Sequence, residues 1–179
     1  ALYARLQEET GSPVDHHPTG AVRLAHTQER MDEFERVAAM SKIAGLNLEM
    51  ISCDQLKELY PFLDTTDLLG GLWDPDDGHI DPTSATNAMA AGARAGGATI
   101  LRHNPVTAIE QQANGRWKVS TVKGEIDAGV IVNAGGFRAN EVAAMIGHQL
   151  PMISMEHQFV VTDSIPALEA RDSMVPMLR

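Results

Sequence analysis

Val130-Ile131-Val132-Asn133-Ala134-Gly135-Gly136 is the stretch whose reading decides the fold. Together with the residues from Ile126 onward, its aliphatic run predicts a strand that becomes apolar on both faces, as a buried sheet position requires. Asn133 to Gly136 end that strand, and Arg138 to Ile146 continue with a helical pattern. A strand passing through glycines into a helix lets backbone approach a ligand closely, and the helix N-terminus favours an anionic group. On the local residues alone, an ordinary tight turn and a ligand site explain Asn133-Ala134-Gly135-Gly136 equally well.

Before this stretch, Val106 to Gln111 and Arg116 to Val122 read as a hairpin around Asn114-Gly115, a two-residue turn signal. Ala98 to Leu101 reads as a strand. Asp81 caps a helix that has Pro82 at its first position, runs to about Ala95 and stops at Gly96-Gly97. Its small residues would let it approach a sheet closely. Gly70-Gly71-Leu72-Trp73 is a short strand ahead of a polar turn. Near the start, Ala1 to Glu9 reads as the end of a helix with Gly11 as its stop, and Val14 to Ala25 as extended chain with a turn or bulge at Pro18-Thr19-Gly20.

Thr27 to Ala44 is a helix with Met31, Phe34, Val37, Ala38 and Ser41 near one face, ended by Gly45. Leu48 to Ile51 is a strand, and Ser52 with Gln55 forms a capping box for a helix reaching Tyr60 before Pro61. After the quoted stretch, Met152 to Thr162 reads as a long strand, and Ile165 to Arg179 has no clear pattern. The alternation predicts an α+β (mixed α/β) fold. Module boundaries are expected at Pro61 to Gly70-Gly71 and near Leu150-Pro151.

Apolar residues make up 44% of the 179, enough for a sizeable core, and aromatics only 4%. A formal charge of −10 without any Lys/Arg cluster argues against a nucleic-acid partner. The apolar runs are too short to span a bilayer, and no secretory leader is expected. Cys53 is the single cysteine, which excludes an intrachain disulfide framework and a cysteine-rich zinc site. No metal site is expected. His16 and His17 are adjacent on an extended chain and point to opposite faces, while His79 lies among Asp74, Asp76, Asp77 and Asp81 without the ligand spacing of a calcium loop. Turn formation accounts for that acidic, Pro- and Gly-containing segment.

Order and spacing make these pieces more specific together than singly. Gly71-Leu72-Trp73-Asp74-Pro75-Asp76-Asp77-Gly78-His79-Ile80-Asp81-Pro82, an Ala-rich helix, Gly96-Gly97-Ala98, Asn104-Pro105-Val106-Thr107-Ala108-Ile109, the Trp117 hairpin and Val132-Asn133-Ala134-Gly135-Gly136 follow one another. That succession resembles the middle of the D-amino-acid-oxidase-like FAD-dependent oxidoreductase superfamily. Pro18-Thr19-Gly20-Ala21-Val22-Arg23-Leu24-Ala25 and Met155-Glu156-His157-Gln158-Phe159-Val160-Val161-Thr162 look like its dimethylglycine and sarcosine dehydrogenase branch.

The resemblance implies part of an FAD/NAD(P)-binding-like domain (residues 1–14 and 71–149) and part of a β-sheet substrate domain (residues 15–70 and 150–179), both incomplete. It implies FAD as cofactor, with Val106 touching the adenine end through its backbone and Ala134, Gly135, Gly136 and Phe137 lying against the cofactor. His157 is the catalytic-side candidate, and Arg23 is the candidate cation for the substrate carboxylate. The implied reaction is oxidation of the N-methyl group of a glycine derivative, dimethylglycine or sarcosine, by hydride transfer to flavin. Another amino-acid oxidase, a glycerol-3-phosphate dehydrogenase, and a truncated binding or assembly module covered by an oligomeric partner are the alternatives.

The family's opening Gly-x-Gly-x-x-Gly turn is not found in this sequence, so an internal fragment is expected, and none of His16, His17, His79 or His157 is assigned as a flavin-attachment residue. The expected setting is a bacterial cytoplasm, with the mitochondrial matrix as the other option. The isolated 179-residue chain should purify colourless; stoichiometric flavin in its absorbance spectrum would overturn the expectation that it does not hold FAD tightly.

Overall fold

The computed structural model describes residues 2–179; Ala1, with which the expected opening helix begins, lies outside the described residues. The described residues form two compact units, one drawn from residues 2–99 and 163–179, the other from residues 100–162. In chain order the first contains α1 (Leu2–Thr10), β1 (His16–His17), β2 (Ala21–Ala25), α2 (Gln28–Ile43), β3 (Glu49–Ile51), α3 (Cys53–Leu59), β4 (Gly70–Asp74), β5 (His79–Ile80) and α4 (Pro82–Ala95). The second contains β6 (Val106–Gln111), β7 (Trp117–Thr121), β8 (Gly124–Ala128), a 3-10 turn (Gly136–Arg138) and α5 (Ala139–Ala144). The chain then returns to the first unit with α6 (Pro166–Glu169) and β9 (Met177–Leu178).

The first unit is organised by a four-stranded sheet of order β3-β4-β2-β9, antiparallel except for the β2–β9 pair. Alternation along its strands divides the core into two clusters. Val22 and Ile51 meet Leu56 of α3 and Leu68, while Ala25 and Leu72 meet Phe34 and Ala38 of α2. Phe34, Leu56, Leu72 and Val22 are the largest fully buried side chains. Both helices begin at their expected caps: Thr27 accepts a hydrogen bond from Arg30 N, and Ser52 and Gln55 form a complete capping box.

Helix α4 starts from the Asp81 cap, with Ser84 N donating to the carboxylate at 2.6 Å. Its small face packs against helix α1, where a Cβ on Gly92 would stand 3.1 Å from Thr10 Cγ2. The expectation of a sheet against that face is thus replaced by a helix.

The second unit is an antiparallel meander, β6-β7-β8, whose Ile109–Val119 pair is buried. The hairpin turn differs from the two-residue form. Gly115 N donates to Gln112 O and Gln112 N to Arg116 O, and Gly115 alone takes a left-handed φ of 79°, Asn114 remaining at negative φ. A wider turn with one left-handed residue satisfies these backbone groups without forcing Asn114 into that region.

Three strand expectations are corrected. Ala98 to Leu101 is irregular, β8 ends at Ala128 so that Val130 to Val132 lies outside any sheet, and Met152 to Thr162 forms no strand. Val130, Val132 and Phe159 are 80%, 83% and 86% exposed. High β-propensity becomes a strand only when a neighbouring edge takes up its N–H and C=O groups, and among the described residues no such edge lies beside these segments. The expected helix from Arg138 to Ile146 is shortened to the 3-10 turn and α5.

The unpatterned tail, in contrast, supplies β9. Met177 N donates to Gly20 O, Arg179 N to Val22 O, and Leu24 N to Arg179 O. Two residues are too few to show periodicity, so the tail pairs without announcing itself. The expected boundary within Gly70-Gly71 falls at the start of β4, which pairs with both β2 and β3, so Gly71 to Asp74 share a sheet with residues 21–25 and 49–51.

Gly20 has φ 75°, and a Cβ there would stand 1.9 Å from the Trp73 indole. Gly20→Ala therefore combines left-handed strain with displacement of a packed ring, and should cost about 2–4 kcal/mol of stability. A urea midpoint unchanged from the parent chain would contradict this account.

Candidate functional site

The segment after β8 is shaped by its own polar side chain. Asn133 Oδ1 accepts from Gly135 N at 3.1 Å, and Asn133 Nδ2 donates to Ala139 O at 2.9 Å, folding the chain into the 3-10 turn ahead of α5. Gly135 sits inside this turn, where a Cβ would approach Ala139 Cα to 3.2 Å. Gly136 has φ 55°, a conformation that favours glycine, and a Cβ there would meet nothing within 4 Å. Phe137 beyond it is 75% exposed, with the Arg138 guanidinium 5.6 Å from its ring centre.

Asn140 ties the following chain back to this turn, accepting from Leu150 N at 2.8 Å and donating to Met152 O at 3.2 Å. Ser154 Oγ also donates to Phe137 O at 3.2 Å. The outcome is a braced loop that presents bare backbone and one aromatic ring outward.

Of the residues expected at a flavin site, Ala134, Gly135, Gly136 and Phe137 are contiguous and accessible in this loop. Val106 opens β6 of the same unit, where it is 36% exposed. An open Gly136 backbone and an exposed Phe137 ring fit a large planar cofactor, which needs close main-chain approach and apolar contact. Helix α5, with six residues, has too little macrodipole for a phosphate site of its own.

The unit also contains a feature that periodicity alone did not single out. An apolar cleft of about 300 Å3 is lined by Ile109, Trp117, Val130, Val142, Ile146 and Leu150, among others. The spacing of Val142 and Ile146, one helical turn apart, was its only sequence signal.

Arg23 and His157 belong to different units. Arg23 is exposed on β2, opposite Leu72 in the ladder, and makes no ion pair among the described residues. His157 is exposed on irregular chain rather than on the expected strand. His16 and His17 lie on β1, which pairs with β5 so that His17 stacks on His79 at 4.8 Å between ring centres. His17 Nε2 is 2.7 Å from Asp15 Oδ1. Among the described residues no group of three or more His, Cys, Asp or Glu could hold a metal ion, and no helix is long and apolar enough to cross a membrane.

The clear electrostatic shifts lie outside this loop. Hydrogen bonds from the Thr66 hydroxyl and backbone lower the Asp64 pKa. On the meander, the hydrogen bond to Asp127 and its charge raise Arg116, and Glu125 does the same for Lys118. These groups, none of them buried, brace a turn and a hairpin. Any redox chemistry at the loop must come from a bound group, with the protein supplying shape and contact.

A family model described as FAD dependent oxidoreductase matches residues 1–178. Mouse mitochondrial dimethylglycine dehydrogenase is 44% identical over 178 residues, covering 99% of this chain and 20% of the relative. Human mitochondrial sarcosine dehydrogenase is 32% identical over 169 residues, covering 92% of this chain and 18% of the relative. The chain thus spans about a fifth of the length of these curated relatives. The crystal structure of L-proline dehydrogenase from P. horikoshii superposes with a TM-score of 0.73 at 32% identity, covering 82% of this chain and 38% of that one.

Because Asn133 makes both bonds that shape the loop, Asn133→Ala should destabilise the second unit by about 1–2 kcal/mol. Hydrogen exchange at Gly135 and in α5 should accelerate in the variant; unchanged protection would remove Asn133 from this role.

Proposed function

The chain belongs to the FAD dependent oxidoreductase family, and on that premise we propose that it forms part of an enzyme that oxidises an N-methyl group of a glycine derivative, dimethylglycine before sarcosine. The observation that carries the proposal is the 44% identity with dimethylglycine dehydrogenase, which extends over 99% of this chain, against 32% with sarcosine dehydrogenase. Bound FAD would supply the hydride acceptor for oxidation of the methyl carbon, and the loop residues assigned below would hold it.

Within this proposal, residues 1–14 and 71–149 contribute to the flavin side, and residues 15–70 and 150–179 to the substrate side. Packing of α1 on α4 supports the first grouping, and the β2–β3–β4 sheet draws Gly71 to Asp74 toward the second. Val106, Ala134, Gly135, Gly136 and Phe137 are assigned to FAD contact, supported by the open backbone at Gly136 and the exposed ring of Phe137. Arg23 is assigned to the substrate carboxylate, supported by its exposure without an ion-pair partner among the described residues. His157 is the residue assigned to the catalytic side. The two dehydrogenase relatives are mitochondrial by name, which favours a mitochondrial setting over a bacterial cytoplasm.

The decisive measurement is the specificity of the whole protein containing this chain, assayed on dimethylglycine, sarcosine, D-amino acids and glycerol 3-phosphate. Dimethylglycine should lead in kcat/KM by at least about tenfold, a difference of about 1.4 kcal/mol in transition-state stabilisation. A lead by glycerol 3-phosphate or a D-amino acid would replace the proposal with another chemistry of the family. In the same protein, Arg23→Gln should raise KM for dimethylglycine about tenfold or more if Arg23 holds the carboxylate; an unchanged KM would remove it from the site.

A further inference from the structure

Asn114 and Gly115 form the turn of the β6–β7 hairpin, and both are exposed. Asn114 Oδ1 accepts from Arg116 N at 3.0 Å, an Asx turn that folds the carboxamide back along the Asn114–Gly115 peptide. The same N–H polarises the carboxamide carbonyl, as a donor does where negative charge develops. Gly115 has no side chain to crowd that peptide, and a Cβ there would meet nothing within 4 Å. The other asparagines are placed differently. Asn133 and Asn140 have both ends of the carboxamide bonded to backbone. Asn87 lies inside α4, where the helix ladder engages the following amide. Asn104 precedes Pro105, which has no N–H, and exposed Asn47 precedes the bulkier Leu48.

We propose that Asn114 is a site of spontaneous deamidation and isoaspartate formation that the fold leaves open, whereas it protects Asn133 and Asn140. The Gly115 nitrogen gives its proton to a solvent base and bonds to Asn114 Cγ. The Cγ–Nδ2 bond breaks, and the side-chain nitrogen leaves as ammonia after taking a proton from solvent. Water then opens the cyclic imide. Addition at Cγ yields aspartate at position 114; addition at the main-chain carbonyl yields an isoaspartyl link. No electrons are transferred, and water is the only co-reactant. The hydrogen bond from Gly115 N to Gln112 O, 2.9 Å, is the restraint that ring closure must break. An isoaspartyl link adds one main-chain atom to a turn closed by that bond and by Gln112 N donating to Arg116 O, so it loosens the hairpin end. The site lies in the second unit and does not depend on the flavin assignment.

The test incubates the full 179-residue chain in mildly alkaline buffer, folded and in guanidinium chloride, and follows each asparagine by peptide mass spectrometry. Position 114 should gain about 1 Da, or about 3 Da in 18O-water. In the folded chain it should react at least about tenfold faster than Asn47, and within about tenfold of its own rate in the unfolded chain. Asn133 and Asn140 should each slow by more than about tenfold on folding. The product should accept methyl groups from an isoaspartyl-specific methyltransferase used as a probe, and N114Q should show neither the mass gain nor the methylation. Amide exchange at Gln112 should be faster in the isolated isoaspartyl form. A smaller lead over Asn47, a larger drop on folding at Asn114, or a mass gain in the same peptide of N114Q would each overturn the proposal. So would product without methyl acceptance, equal protection of Gln112, or Asn133 and Asn140 reacting as fast folded as unfolded.

Discussion

Where β4 begins, a Cβ on Gly71 would stand 2.9 Å from the Arg23 carbonyl oxygen and 3.3 Å from Leu56 Cδ2, and one on Gly70 would stand 2.7 Å from the Ile51 carbonyl oxygen. The sheet can therefore close around β4 only over bare backbone. Because β4 lies between β3 and β2, that close approach also fixes where α2 and α3 pack on the two faces. The Asp-rich turn follows β4 directly, and the same strand thus leads into the β1–β5 pair and the Asp81 cap of α4. One pair of residues without side chains sets the spacing of β4 against β2, β3 and α3.

The loop from Asn133 to Arg138 is governed by a different set of contacts. Asn133 shapes it through two hydrogen bonds to backbone, and Asn140 anchors the chain that follows. Both side chains hold main chain in place, and Gly136 and Phe137 are exposed. Under the proposed function, this loop would supply main-chain and ring contact to a bound group that carries the chemistry.

Local signals were legible wherever the physics is local. The Thr27 and Ser52 caps, the Asp81-Pro82 start and the buried face of Phe34, Ala38 and Ser41 all follow from hydrogen bonds and packing within a few residues along the chain. Non-local pairing was not legible. Val130 to Val132 and Met152 to Thr162 have strand-forming side chains but no described edge to join, and Met177–Leu178 forms a strand without any pattern of its own. The glycines of Asn133 to Gly136 stood out in the sequence, whereas the apolar cleft lined by Ile109, Trp117 and Val142 arises from side chains on separate segments.

By itself the sequence determined α1 to α4, the caps of α2, α3 and α4, the place of the hairpin and the ordered motifs that resemble the flavoenzyme family, because each is encoded by contacts or motifs short in chain distance. Tertiary structure alone decided that β9 closes beside β2, that α4 lies against α1, and that the aliphatic run before Asn133 stays outside a sheet. A strand is a property of two backbone edges meeting, and one segment of sequence describes only one of them.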